Sequence, residues 1–330
     1  MPTRRRALLV FVLLALLALA GIGAALLAGS FAVTPREVFE ALFNNTQGMA
    51  AEVVRNLRLP RALAAFACGA MLALAGALMQ VLLRNPLADP YVLGVSGGAA
   101  VGALLAMLFG LPLLMLQGSA FAGALAAVLL VFGLARGDGS WTQSRLLLTG
   151  VIVAAGCGAG VALILSIAPE QKLRSMLFWL MGDLSQAGSP WLALYVLGFG
   201  LLLTLPISRD LNLLARGDLV ARSLGVSTAV LRNVVYLLAA LLTAVAVTTA
   251  GSVGFVGLIV PHLLRLAIGN DQRILLPAAA LAGGALLVGA DTLARTIVAP
   301  QQLPVGVLTA LLGVPVFLFL LSRQPRAGST

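Results

Sequence analysis

Apolar residues fall in ten runs along this chain, most of them near twenty residues long, separated by short segments where Arg, Asp, Asn, Gly and Pro collect. A helix rises about 1.5 Å per residue, so roughly twenty apolar residues cross a hydrocarbon core about 30 Å thick. The pattern predicts helices over 7–29, 60–83, 92–110, 113–135, 145–167, 191–207, 228–250, 254–268, 274–292 and 305–321. Barrel strands would alternate apolar and polar positions, and these runs do not. The eighth run is short for a full span and contains Pro261; such a segment is tolerated where neighbouring helices satisfy the freed backbone groups. The reading is an all-α integral membrane protein of about ten spans, one domain over 1–330.

Composition agrees. The chain is 61% hydrophobic and 10% charged, with a mean hydropathy of +1.07, whereas a soluble domain carries about 25% charged residues. The net charge of +10 reads as topology, because cytoplasmic loops gather Lys and Arg. With both termini inside, fourteen basic residues face the cytoplasm, Arg136 and Arg326 among them. Seven face outward: Arg36, Arg55, Arg58, Arg61, Lys172, Arg174 and Arg295. No basic helix or aromatic platform points to nucleic acid. The start, MPTRRR before an apolar run over 7–28, imitates a signal peptide, but the run exceeds the 7–15 apolar residues of a cleaved signal and reads as a retained first span. Cys68 and Cys157 fall inside apolar runs as small apolar residues, and one His without a Cys/His cluster argues against a metal site.

Enzyme chemistry is not visible. Ser/His/Asp spacing and paired carboxylates are missing, and GVSGG at 94–98 lacks the Lys of a phosphate-binding loop. The spans carry few ionisable groups: His262 and Arg265 in the eighth run and Asp291 at the end of the ninth. A carrier driven by an ion gradient places a carboxylate in mid-span at a cost of about 2.5–3.5 kcal/mol; its absence favours an external energy source. Inside, the segment 208–227 mixes Leu211, Leu213, Leu214 and Leu219 with Arg209, Asp210, Arg216, Asp218 and Arg222, punctuated by Gly217 and Gly225. It reads as two short amphipathic helices, lying on lipid headgroups or presented to a cytoplasmic protein. Outside, Arg58, Arg61 and Arg295 are either snorkelling anchors or a cationic rim that docks an acidic partner. Gly and Ala crowd the spans, as close helix packing in lipid requires. The second to fifth and the seventh to tenth runs each hold a long helix, a Gly/Pro turn and a short helix, in the manner of inverted repeats.

Four stretches together resemble the FecCD family of ABC importer permeases for ferric siderophores, haem and cobalamin. They are RLPRALAAFACGAMLALAGALMQVLLRNPLADPYVLGVSGG (58–98), LNLLARGDLVARSLGV (211–226), GSVGFVGLIVPHLLRLAIGNDQRILLPAAALAGGALLVGADTLAR (251–295) and LPVGVLTALLGVPVFLFLL (303–321). The resemblance implies the type II ABC importer transmembrane fold: a homodimer of ten-helix permeases, two cytoplasmic ATPase subunits that hold the ATP and Mg, a periplasmic substrate-binding protein, and no cofactor on this chain. It implies ATPase-coupling roles for Leu211, Asn212, Leu213, Leu214, Gly217, Asp218, Ala221, Arg222, Leu224 and Gly225. It implies binding-protein docking by Arg58, Arg61 and Arg295, and a cytoplasmic gate at Asn85, Pro86, Leu87, Gln143 and Ser144. The substrate it implies is an iron complex, a ferric siderophore or haem, with cobalamin as the alternative. The segment FWLMGDLS at 178–185 sits where the family has a W-x-x-G stretch.

Overall fold

The computed structural model describes residues 4–44, 47–135, 142–185 and 187–323. In chain order its helices are α1 (Arg4–Leu27), α2 (Pro35–Phe43), α3 (Met49–Glu52), α4 (Leu59–Leu82), α5 (Val95–Leu108), α6 (Leu113–Ala135), α7 (Gln143–Ile167), α8 (Glu170–Leu180), α9 (Trp191–Thr204), α10 (Ser208–Arg216), α11 (Asp218–Ser223), α12 (Thr228–Ala250), α13 (Val256–Ile268), α14 (Gln272–Thr296) and α15 (Val305–Arg323). Among the described residues there is no strand. Among the described residues six helices are long and apolar enough to cross a membrane, α9 and α10 together would make a seventh if the pair, bent by 65°, is one span, and α5, α13 and α15 are shorter apolar helices. These elements account for the ten predicted runs. Arg136 and Arg326 lie outside the described residues.

The outer connections are more ordered than the hydropathy pattern implied. Thr34 and Glu37 form a reciprocal capping box that starts α2, with Pro35 in its first turn. Helix α3 continues through a π-helical turn, Val53–Arg58, into α4. Helix α8 is amphipathic and buries Met176 and Trp179.

Helix α4 is the axis of the protein. It is apolar on every side, as a helix surrounded by others must be, and nineteen of its 24 residues are buried. Around it stand α14, α12, α13 and α9. Two of the closest approaches pair glycine with glycine. A Cβ on Gly69 would lie 2.2 Å from the Gly283 carbonyl oxygen, and one on Gly76 would lie 1.9 Å from that of Gly257. Gly98 and Gly123 form the same kind of contact between α5 and α6. By contrast α1 and α7 form the periphery and expose most of their length.

These contacts give a direct test. Gly76→Ala should destabilise the protein by about 1–3 kcal/mol through overpacking against backbone that cannot yield. Gly198→Ala in α9, where nothing lies within 4 Å, should be neutral or mildly stabilising through helix propensity. Thermal unfolding in detergent separates the two; equal midpoints would show that the α4–α13 approach is looser than drawn.

Helices α5 and α13 have 14 and 13 residues, about 20 Å each, too short for a full hydrocarbon core. Helix α5 is preceded by a 3-10 turn, Pro90–Leu93, and α13 by a non-helical stretch over 251–255; these segments make up the difference, and they touch. The Tyr91 hydroxyl donates to the Val253 carbonyl at 2.9 Å and accepts from the Val253 N–H at 2.9 Å. The hydroxyls of Ser96 and Ser252 meet at 3.0 Å. Irregular backbone at this depth persists because protein groups take the place of water. Tyr91→Phe leaves both Val253 backbone groups without that partner, at a cost of about 1–3 kcal/mol. Faster amide exchange at Val253 and a lowered unfolding midpoint are the expected signs, and unchanged exchange would contradict it.

Candidate functional site

On the cytoplasmic side the chain turns off the axis of α9 at 205–207 and forms α10. Leu211 and Leu214 of this helix are buried against the inner ends of the spans. Asn212 pins it there: its Nδ2 donates to Asp271 Oδ1 at 2.8 Å, and its Oδ1 accepts the Gln272 N–H at 2.9 Å, capping α14. Gly217, at φ +126°, and Gly225, at φ +83°, bracket α11; both conformations lie in the region that favours glycine. In α11 Ala221 is buried, while Leu219, at 84% exposure, Val220 and Leu224 stand free of the chain. Leu213 is half-buried, and exposed Arg222 donates from Nε to Thr228 Oγ1 at 2.9 Å. The segment read as two short amphipathic helices is therefore a braced pair with an apolar outer edge.

Beside it lies the turn between α4 and α5. Asn85 Oδ1 accepts the Leu87 N–H at 2.9 Å, closing a side-chain turn. Pro86 is exposed and Leu87 half-buried. Three neighbours hold the turn. Gln143 Nε2 donates to the Leu82 carbonyl at 3.0 Å, while Ser144, next in α7, is exposed. Gln80 donates to the Leu258 carbonyl at 3.1 Å and accepts from Arg265, and His262 hydrogen-bonds the Pro86 backbone. The third neighbour is α11. Arg84, in the left-handed region at φ +46°, forms a 2.6 Å ion pair with Asp218, the first residue of α11. Asp218 also pairs with Arg232 of α12. One carboxylate thus joins the turn, the short helix and a span.

The outer arginines are placed differently from expectation. Helix α14 continues to Thr296, so Asp291 and Arg295 lie one turn apart on the face toward α4. Asp291 receives Arg61 through both Nε, at 3.0 Å, and Nη2, at 2.8 Å, and Arg295 Nε lies 3.3 Å away. Arg61 Nη1 also donates to Gln302 Oε1 at 2.9 Å. Arg58 donates to the carbonyls of Leu26, at 2.7 Å, Leu27 and Phe31, and Arg295 to that of Ala25, at 3.1 Å. Two guanidinium groups therefore close the C-terminal end of α1, where unpaired carbonyls and the helix dipole favour cations. As an exposed cationic rim the trio is corrected: Arg58 is only 5% exposed, and the side chains of Arg61 and Arg295 only 14% and 9%. Their charges are engaged within the chain. An outer hollow of about 650 Å³ lies nearby, with Gln302, Arg174, Phe178, Trp179 and Asp183 in its wall.

The model of the FecCD transport family matches residues 13–323, nearly the whole chain. The chain belongs to the FecCD transport family. Among its relatives it is 46% identical over 297 residues to the hemin transport system permease protein HmuU of Yersinia pestis, covering 87% of this chain and 88% of that one. It is 44% identical over 281 residues to the cobalamin import system permease protein BtuC of Halobacterium salinarum, covering 83% and 75%. A solved structure described as an inward-facing conformation of a metal-chelate type ABC transporter superposes with a TM-score of 0.83 at 33% identity, over 96% of this chain and all of that one.

As a FecCD permease, the protein is the multi-pass membrane component of an ABC importer, in the inner membrane, and such permeases pair with an ATPase and a permease partner. The family match spans the turn, the braced helices and the outer ion cluster alike. Several connecting residues were not singled out from sequence. Arg84 stands beside the turn, and Arg232 lies fourteen residues beyond Asp218. Gln80 and Tyr91 are single polar groups in apolar surroundings, which is the signal that marks them. Cys68 and Cys157 are free thiols, the first buried.

Proposed function

We propose that this permease imports an iron complex, haem or a ferric siderophore, as a homodimer with two cytoplasmic ATPase subunits and a periplasmic binding protein. ATP and Mg belong to the ATPase, and this chain carries no catalysis of its own and no cofactor. The likeness to HmuU favours haem; the likeness to BtuC favours cobalamin as the second reading.

The observation that carries the mechanism is the ion pair of Arg84 with Asp218. The exposed edge of α11, with Leu219, Val220 and Leu224, suits an apolar cleft on the ATPase. Movement of α11 then pulls through Asp218 on the turn holding Asn85, Pro86 and Leu87, the proposed gate, with Gln143 and Ser144 at its margin. In this reading Leu211, Asn212, Leu213, Leu214, Gly217, Ala221, Arg222, Leu224 and Gly225 transmit the same motion by keeping both helices rigid. Arg58, Arg61 and Arg295 serve docking indirectly, by fixing the outer ends of α1, α4 and α14 on which a binding protein would rest. The bare small-residue face of α7, where Gly156 and Gly158 meet nothing within 4 Å, supports close contact with a second copy.

The test is ATPase activity in proteoliposomes holding the chain with its candidate ATPase and binding protein, with haem, a ferric siderophore or cobalamin supplied in turn. Stimulation by one loaded binding protein names the substrate. Stimulation by none overturns the proposal.

A further inference from the structure

Between α10, the last turn of α13 and the first turn of α14 lies an open hollow of about 1120 Å³ on the cytoplasmic side. Arg6, Arg84, Arg209, Arg216, Arg265 and Arg273 line it. Among the described residues Asp271 is the one carboxylate in that wall, and it already accepts from Asn212 Nδ2 at 2.8 Å and from the Arg273 N–H at 3.1 Å. Arg84 is paired with Asp218. Arg6 and Arg265 donate only to neutral oxygens, the Ala267 carbonyl at 2.8 Å and the Gln80 amide. For Arg209, Arg216 and Arg273 there is no side-chain hydrogen bond or ion pair among the described residues. Gln272, also in the wall and buried, has an Oε1 without a partner.

So many guanidinium groups on one concave wall focus a positive potential that calls for an anion. Their planar forks match phosphate oxygens two at a time. Position argues for where the phosphate comes from. Arg6 and Arg273 lie in the first turns of α1 and α14, Arg265 in the last turn of α13, Arg84 just past the end of α4, and Arg209 and Arg216 on α10; the inner ends of spanning helices fall near the inner-leaflet headgroups. Leu266, in the wall, is 65% exposed, and Leu8, Leu9 and Leu13 of α1 present a bare apolar face above Arg6. Acyl chains have a surface to follow while the headgroup enters the hollow. Basic pockets between the inner ends of membrane helices bind anionic headgroups in this way.

We propose that this hollow is a phosphate-anion site, its phosphate carried by an anionic phospholipid of the inner leaflet. Bound there, the lipid would brace α10, which supplies Arg209 and Arg216, and through it the neighbouring α11.

The full-length chain is placed in nanodiscs of phosphatidylcholine, with or without phosphatidylglycerol, and retained lipid is counted by native mass spectrometry beside the thermal midpoint. Phosphatidylglycerol should be retained preferentially. Retention should fall about a hundredfold in Arg209→Gln/Arg216→Gln/Arg273→Gln, which removes three charges at once. The matching triple lysine variant and Arg145→Gln should retain it. A third arm adds inorganic phosphate to phosphatidylcholine nanodiscs. Protection by inorganic phosphate without any preference for phosphatidylglycerol would overturn the lipid source. Lipid retention indifferent to headgroup and to the glutamine variant, together with lost capture of an ATPase subunit by that variant, would overturn the site in favour of an acidic protein segment.

Discussion

Asp218→Asn is expected to cut uptake about tenfold while the associated ATPase continues to hydrolyse ATP. The substitution keeps the size of the side chain and removes the charge that holds Arg84 and Arg232 together. All three side chains are partly exposed, so the pairs add little to stability, about 1 kcal/mol together. Their importance lies in what they connect. Without them α11 can move while the turn before α5 stays where it is. A factor of ten corresponds to about 1.4 kcal/mol, the size of a small ion-pair network. Arg84→Gln should have the same effect, and the double variant should be no worse than either single one, since both remove one link. Additive losses of uptake would mean that the two residues act separately. A parallel loss of ATPase activity would mean that Asp218 supports assembly rather than transmission.

Asp291→Ala should be the most damaging substitution on the outer side, destabilising the protein by about 3–5 kcal/mol. The carboxylate is buried between Arg61 and Arg295, and its removal leaves positive charges facing one another in a poorly solvated site. Loss of folded protein in detergent, or a large fall in unfolding midpoint, is the expected readout. Adding Arg61→Leu should recover part of the loss, because one of the stranded charges goes with it. If Asp291→Ala unfolds at the same temperature as the parent, water already reaches the cluster and the ion pairs are not what holds α14 to α4.

The ten apolar helices were legible because hydrophobicity over many consecutive residues leaves little choice in a membrane. The bend that separates α10 from α9 was legible too, since 208–227 abruptly mixes charge with leucine. The outer helices α2, α3 and α8 were passed over. Their amphipathic patterns are short, although Thr34, Pro35 and Glu37 spell out a helix start. What sequence could not supply was the partner of each polar group. Asp291 and Arg295 are four apart and could have been paired on a helical face, but Arg61 lies 230 positions from Asp291, and nothing local tells which face of α4 meets α14. Reading Arg58, Arg61 and Arg295 as a rim followed from the same gap: a cation next to a span looks solvent-facing until the carbonyls that receive it are known. Tyr91 and Val253 likewise meet only because two short helices both fall short of the bilayer.

The outer arginine cluster also bears on how the chain is made. Arg58 and Arg61 must cross the membrane against the usual preference for positive charge inside. The acceptors of Arg58, at Leu26, Leu27 and Phe31, emerge from the ribosome before it, so carbonyls that accept its hydrogen bonds are already present when it arrives. Arg61 has no such provision. Its carboxylate comes from the penultimate span, after most of the protein has been synthesised. Until then α4, around which α9, α12, α13 and α14 pack, carries an unmatched cation at its outer end. The ninth span is thus the clasp that ends this state, and nascent chains cut before Asp291 should remain exposed to membrane proteases.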